Sequence, residues 1–218
     1  GIRYCLQHPD ILFTQLRAIL RASAWGDVRL LFPMISTPEE LWAGKALLEK
    51  AKAELTAQGV AFVPSIPVGI MVETPSAAVL ADVLARDSDF FSIGTNDLTG
   101  YLLACDRNNP QVSGLFSALQ PSVLRTLKQV IDCAHAHHIP VGMCGEAAAS
   151  PLMAPLLLAF GLTDFSVAAA SVLPVRNAIS QWTLTEARQA AEKVMAMDTE
   201  EEIVRYLQGH PAVMQGRK

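Results

Sequence analysis

Short, largely apolar stretches alternate with helix-patterned segments along the chain, and no other feature narrows the possible folds as much. The apolar stretches are residues 28–34 (Val-Arg-Leu-Leu-Phe-Pro-Met), 67–72 (Pro-Val-Gly-Ile-Met-Val), 139–143 (Ile-Pro-Val-Gly-Met) and 164–168. A fifth opens the segment Asp89-Phe90-Phe91-Ser92-Ile93-Gly94-Thr95-Asn96-Asp97-Leu98-Thr99. Helical periodicity and capping residues predict helices over about 11–24, 36–58, 77–84, 123–137, 153–160, 173–180, 184–197 and 200–207. Strands that are apolar along their length are covered on both faces, the pattern of parallel strands joined through helices. A (β/α)8 TIM barrel and an open doubly wound sheet both satisfy it. No G-x-G-x-x-G or Walker loop follows any strand, which weakens the nucleotide-binding open sheet. A closed barrel has eight strands, so on that reading about three precede Gly1 and the chain is a C-terminal fragment. The expected organisation is then a partial barrel domain over 1–208 and a flexible tail over 209–218.

Composition narrows the class further. Of 218 residues, 51% are hydrophobic and 17% charged, enough apolar material for a sizeable core. No apolar run is long enough to cross a bilayer, so no membrane insertion is expected. The net charge is −4 with Lys and Arg scattered, which argues against a nucleic-acid surface. The four cysteines, at 5, 105, 133 and 144, form no C-x-x-C pair or regular framework, which fits a reducing cytoplasm.

Chemistry is expected where strands end, because loops at the carboxyl ends of parallel strands carry the sites of such folds. Glu73 follows the second strand, Asn96 and Asp97 follow the third, Arg107 stands in the connection after it, and Cys144 closes the fourth. Carboxylates from neighbouring strands suit a hard divalent cation, Mg²⁺ or Mn²⁺ ahead of Zn²⁺, with water and a phosphorylated substrate completing its shell. Arg107 has the fork that grips phosphate or carboxylate. Cys144, followed by Gly145, is open to a ligand and suited to donate a proton or act as a nucleophile. Each residue also has a plainer role: Asn96 as a helix cap, Glu73 as a helix N-terminal acid, Arg107 as a surface ion pair with Asp106, Cys144 as a small buried hydrophobe. His135, His137 and His138 fall at a helix end, where they suit the dipole better than a metal.

Taken together, several segments resemble the phosphoenolpyruvate-utilising enzymes. They are Phe91-Ser92-Ile93-Gly94-Thr95-Asn96-Asp97-Leu98-Thr99, Val72-Glu73-Thr74-Pro75, Asp106-Arg107 and Gly142-Met143-Cys144-Gly145-Glu146. The stretches 15–24 and Phe32-Pro33-Met34-Ile35 are similar as well. Within that family the likeness points to the enzyme I branch of the bacterial sugar phosphotransferase system and its multiphosphoryl-transfer relatives. The resemblance implies a barrel that dimerises and binds phosphoenolpyruvate at its rim. It implies Glu73 and Asp97 as Mg²⁺ ligands, Asn96 and Arg107 as substrate-binding residues, and Cys144 as the acid that protonates the pyruvate enolate. It also implies transfer of the phosphoryl group to a histidine on a separate domain and then to a phosphocarrier protein.

This sequence departs from the family pattern in three respects. No Gly-Gly-x-x-Ser-His segment is present, the arginines of the family's earlier barrel strands have no counterpart, and Gly100 stands where the family usually has Gln. The expected function is therefore the substrate-binding and dimerisation part of a phosphoenolpyruvate–protein phosphotransferase, inactive in transfer by itself. The alternatives are a non-catalytic phosphoenolpyruvate-sensing or dimerisation module, a dikinase or synthase of the same superfamily, and an aldolase-like lyase barrel.

Overall fold

A computed structural model of the chain describes residues 1–210. Its five strands, β1 (Leu30–Phe32), β2 (Val68–Val72), β3 (Phe91–Gly94), β4 (Val141–Cys144) and β5 (Asp164–Phe165), form one sheet in the order β1-β2-β3-β4-β5. Every neighbouring pair is parallel. Before β1 come α1 (Ile2–Gln7) and α2 (Pro9–Ser23), and between β1 and β2 lies α3 (Pro38–Ala57). Helices α4 (Pro75–Val79) and α5 (Ala81–Leu84) join β2 to β3, and α6 (Thr95–Leu102) and α7 (Pro121–Ala136) join β3 to β4. After β4 follow α8 (Glu146–Ala149) and α9 (Ala154–Phe160), and after β5 come α10 (Val172–Ser180), α11 (Leu184–Met195) and α12 (Glu200–Gln208).

This order separates the two architectures left open by the sequence. Each strand lies beside the one before it, so right-handed crossovers place all the connecting helices on one face of the sheet. A doubly wound sheet has helices on both. Burial agrees: Ile70, Val72 and Ile93 are fully buried, and so is Met143, whereas the alternate residues Met71, Ser92, Gly142 and Cys144 are only partly covered. One face is packed against helices and the other lines a concavity, which is the α/β barrel arrangement. A continuous apolar core runs from Ile2 in α1 to Leu207 in α12.

The helix starts follow their local chemistry. Thr37, Thr183 and Thr199 each cap a helix, with Glu40, Glu186 and Glu202 closing the reciprocal bond. Each such cap contributes on the order of 1 kcal/mol.

Some elements differ from the sequence expectation. Helix α1 has no side-chain cap and was not expected; it is held by tertiary contact, with Ile2 buried and its N–H donating to Pro33 O at 3.3 Å. The helix expected over 77–84 starts earlier, at Pro75, because Thr74 caps it, and it breaks at Leu80. Helices α6 and α8 were expected to be connection; α6 begins directly after Gly94, so the Thr-Asn-Asp run is its first turn and not a loop. Strand β5 is an edge strand of two residues where 164–168 was expected, and β1 stops at Phe32 because Pro33 has no N–H to continue the ladder. Gly209 and His210 follow α12, with the His210 ring stacked on Trp182 at 4.2 Å. Positions 211–218 of the expected tail lie outside the described residues.

Candidate active site

Glu73 is the first residue beyond β2, and the sequence fixes it from both sides. Behind it Val72 is fully buried; ahead of it Thr74 accepts from Ala77 N–H at 3.1 Å and donates to Ile35 O at 3.0 Å. The Glu73 side chain is itself buried, with Oε1 accepting from the Met34 N–H at 2.7 Å. Met34 has φ +59, a left-handed conformation unusual for a residue with a long side chain. This bend at the end of β1 aims the amide at the carboxylate.

Asn96 and Asp97 sit in the first turn of α6, whose N-cap is Gly94. Asp97 is therefore both favourable to the helix dipole and turned back toward Glu73. Burial raises the Glu73 carboxyl above its usual range; the Met34 N–H opposes this, while the hydrogen bond and charge of Asp97 add to the rise. A buried carboxyl raised further by a neighbouring carboxylate is an arrangement that a cation relieves.

Parallel pairing aligns the rest of the site. Met71, Ser92 and Gly142 share one level of the sheet, and one pleat further on Glu73, Gly94 and Cys144 form the next row on the same concave face. Gly94 lies between the acid and the thiol, and a Cβ there would stand 2.8 Å from both Cβ and Oε2 of Glu73. The Cys144 thiol donates to Ile93 O at 3.6 Å and receives the Ser92 hydroxyl at 3.7 Å. Thr95 Oγ1 donates to Cys144 O at 2.9 Å, and Asn96 Oδ1 accepts from Glu146 N at 3.1 Å, so the start of α6 is tied to the end of β4 and the start of α8. Gly145, at φ +95, permits this approach; a Cβ there would collide with Thr95 Oγ1.

A cavity of about 600 Å³ opens beside this row, lined by Asn96, Asp97, Tyr101, Arg107 and Phe116 among others. Arg107 is half exposed, with Nη1 at 3.7 Å from Glu146 Oε1. Of the residues singled out from sequence, Asn96, Asp97 and Arg107 thus share one cavity. Glu73 reaches it through Asp97, and Cys144 stands outside its lining, one strand further along. Sequence reading assigned no role to Gly94, Met34, Ser92 or Glu146. A glycine at a strand end marks a close approach and was a usable signal for Gly94; nothing in the sequence marks the backbone of Met34.

The family described as PEP-utilising enzyme, PEP-binding domain, matches residues 1–184. This chain belongs to the PEP-utilising enzymes. Its relatives in that family include proteins named phosphoenolpyruvate-protein phosphotransferase. Those of Bacillus sp. (strain S) and Bacillus subtilis are 47% and 46% identical over 207 residues, which is 95% of this chain and 36% of each relative. That of Staphylococcus carnosus is 45% identical over 204 residues, 94% of this chain and 36% of the relative. The chain therefore spans about a third of the length of these relatives. Among solved structures, a citrate lyase from Burkholderia xenovorans LB400 superposes with a TM-score of 0.58 at 20% identity. It covers 94% of this chain and 68% of that one, a likeness of fold.

The chemistry of two carboxylates on neighbouring strand ends would suit a hard divalent cation. Glu73 and Asp97 supply two carboxylates that otherwise face each other, and among the described residues no cluster of three or more His, Cys, Asp or Glu offers a fuller cage. Two protein carboxylates with open positions beside a cavity are what Mg²⁺ takes when phosphate and water supply the remaining ligands. Among the described residues, no helix is long and apolar enough to cross a membrane.

Proposed function

We propose that this chain is the phosphoenolpyruvate-binding and Mg²⁺-binding part of a phosphoenolpyruvate–protein phosphotransferase. The observation that carries the reading is a cavity lined by Asn96, Asp97 and Arg107, with the buried Glu73 carboxyl behind Asp97 and raised in part by it. The reaction of the whole enzyme belongs to the same proposal: a phosphoryl group passes from phosphoenolpyruvate to a histidine on another domain and on to a phosphocarrier protein in sugar uptake. So do a cytoplasmic location and a homodimer built on this domain.

In this reading Arg107 grips the phosphate with its guanidinium fork, and Asn96, whose Oδ1 is committed to Glu146 N–H, offers its amide N–H groups to the substrate. Glu73 and Asp97 hold Mg²⁺, which when bound offsets the phosphate charge. When the bridging P–O bond breaks toward the acceptor nitrogen, its electron pair remains on the leaving oxygen as the pyruvate enolate. Cys144 gives its thiol proton to the methylene carbon, which becomes the methyl group of pyruvate, and the thiolate left behind faces the Ser92 hydroxyl.

Thermal unfolding of the chain with Mg²⁺, with phosphoenolpyruvate and with both tests the reading. Both together at 100 times the dissociation constant stabilise by about 2.7 kcal/mol, roughly 5–10 °C for a chain of this size. Asp97→Asn removes the response. An equal response from the wild type and from Asp97→Asn would overturn the assignment.

A further inference from the structure

Glu146 touches both residues assigned to the substrate, yet the reaction as proposed leaves it without a task. Its backbone N–H donates to Asn96 Oδ1 at 3.1 Å, and its Oε1 stands 3.7 Å from Arg107 Nη1. We propose that Glu146 is an internal competitor for Arg107, a carboxylate that occupies the phosphate-binding guanidinium when the site is empty and yields to a phosphate dianion. This rests on the reading of Arg107 as the phosphate grip.

The geometry favours a displaceable pair over a structural one. A charge-assisted hydrogen bond between guanidinium and carboxylate closes to about 2.7–2.9 Å, and this contact is longer. The side chains are 42% and 78% exposed, so solvent screens the pair and little stability is lost when it opens. Its backbone, by contrast, is fixed by Asn96, so the carboxylate stays within reach of Arg107 whatever the side chain does.

There is also a place for the carboxylate to go. Asn96 and Glu146 line a second cavity of about 220 Å³, on whose wall stand the hydroxyl-bearing Thr95, Thr99, Ser117 and Ser150. Asn96 belongs to the lining of both cavities and so stands between them. A singly charged carboxylate arriving at Arg107 must displace an anion of its own kind already tethered there. A phosphate brings a second charge and a third oxygen, and displaces it. Glu146 therefore selects for phosphorylated ligands over plain carboxylates at this position.

The test is calorimetric titration of the chain with phosphoenolpyruvate plus Mg²⁺ and, separately, pyruvate plus Mg²⁺, for the wild type, Glu146→Gln, Arg107→Ala and the double variant. Glu146→Gln is expected to bind phosphoenolpyruvate about two- to five-fold more tightly, the range that an exposed ion pair is worth. Pyruvate, whose lone carboxylate is the ligand Glu146 disfavours, is expected to gain at least as much, and both gains are expected to vanish on the Arg107→Ala background. If Arg107→Ala weakens phosphoenolpyruvate binding while Glu146→Gln weakens it or leaves it unchanged, the competitor role falls and the site reading stands. If Arg107→Ala has no effect on phosphoenolpyruvate, Arg107 is not the phosphate grip and both fall. Because Glu146 is exposed, an unaltered melting temperature for Glu146→Gln confirms that folding is not the cause of any change.

Discussion

Glu73 and Asp97 follow neighbouring strands, β2 and β3, and the Asp97 side chain is close enough to Glu73 to add to the rise of its carboxyl above the usual range. The Glu73 carboxyl therefore holds its proton more tightly than an ordinary carboxyl when no cation is present. Burial raises the Glu73 carboxyl, the Met34 N–H works against that, and Asp97 raises it further.

The sign of the pH dependence follows from this. A carboxyl whose folded value lies above its unfolded value binds more protons folded than unfolded, so its contribution to stability is present at low pH. That contribution is lost as pH rises from the usual carboxylate range through the raised folded value. The metal-free chain is expected to lose stability over this window, and Glu73→Gln is expected to remove the loss, leaving a variant more stable than wild type at neutral pH. Mg²⁺ is expected to stabilise the wild type and not the variant. Urea midpoints measured from pH 4 to pH 8 with and without Mg²⁺ check both. Because Glu39, Glu186 and Glu202 are lowered and act with the opposite sign, the reading is the difference between Glu73→Gln and wild type, and a difference that does not grow through the window contradicts the assignment.

Gly94→Ala is expected to damage the same site by volume alone. The new Cβ would meet Glu73 Cβ and Oε2 at 2.8 Å and Met71 Cγ at 3.1 Å, although the backbone at φ −87 accepts alanine without strain. Overpacking of this kind costs about 1–3 kcal/mol. Since Glu73 must move, the Mg²⁺-dependent rise in melting temperature is expected to shrink or vanish with the stability. A variant with native stability and a native Mg²⁺ response would show that the row has slack.

Much of this was legible before any coordinates. The five apolar runs gave the strands in order, and the polar residues after them gave Glu73, Asn96, Asp97 and Arg107, because a parallel sheet puts every strand's carboxyl end on one side. What stayed hidden depended on position in space. Thr95, Asn96 and Asp97 are turn-formers by type, and only the closeness of β4 and Glu146 makes them the first turn of α6. Helix α1 carries no capping signal and exists through the burial of Ile2. Met34 aims its amide at Glu73 from a left-handed backbone, a conformation that its residue type argues against. The Glu146–Arg107 pair joins the start of α8 to the connection after α6, far apart in sequence, so no local pattern announces it.

Thr74→Ala is expected to act on stability first. The Thr74 hydroxyl both caps α4, accepting from Ala77 N–H, and donates to Ile35 O, and Thr74 is buried. Its removal leaves the Ile35 carbonyl and the helix end unsatisfied, a loss of about 1–2 kcal/mol. Thr74→Ser keeps the hydroxyl and is expected to recover most of it. Chemical denaturation of the pair checks this; equal losses in both variants would assign the cost to the methyl group.

Ser92→Ala is expected to change the chemistry of Cys144 while leaving the fold intact. The Ser92 hydroxyl sits on β3 facing the concave side, 3.7 Å from the Cys144 sulfur, and its other neighbours on that face, Met71 and Gly142, are only partly buried. A hydroxyl directed at sulfur supports negative charge there, and charge on sulfur is what both alkylation and the return of a proton from pyruvate require. Loss of one such bond, worth about 0.5–1.5 kcal/mol, slows the reaction of Cys144 with iodoacetamide about two- to ten-fold. All four cysteines are free, so the rate is read at Cys144 by peptide mass analysis, with the partly buried Cys5 and Cys133 and the buried Cys105 as internal references. An unchanged rate at Cys144 would mean that the Ile93 carbonyl, and not Ser92, governs the thiol. A slowed rate at every cysteine would instead report a change in the fold.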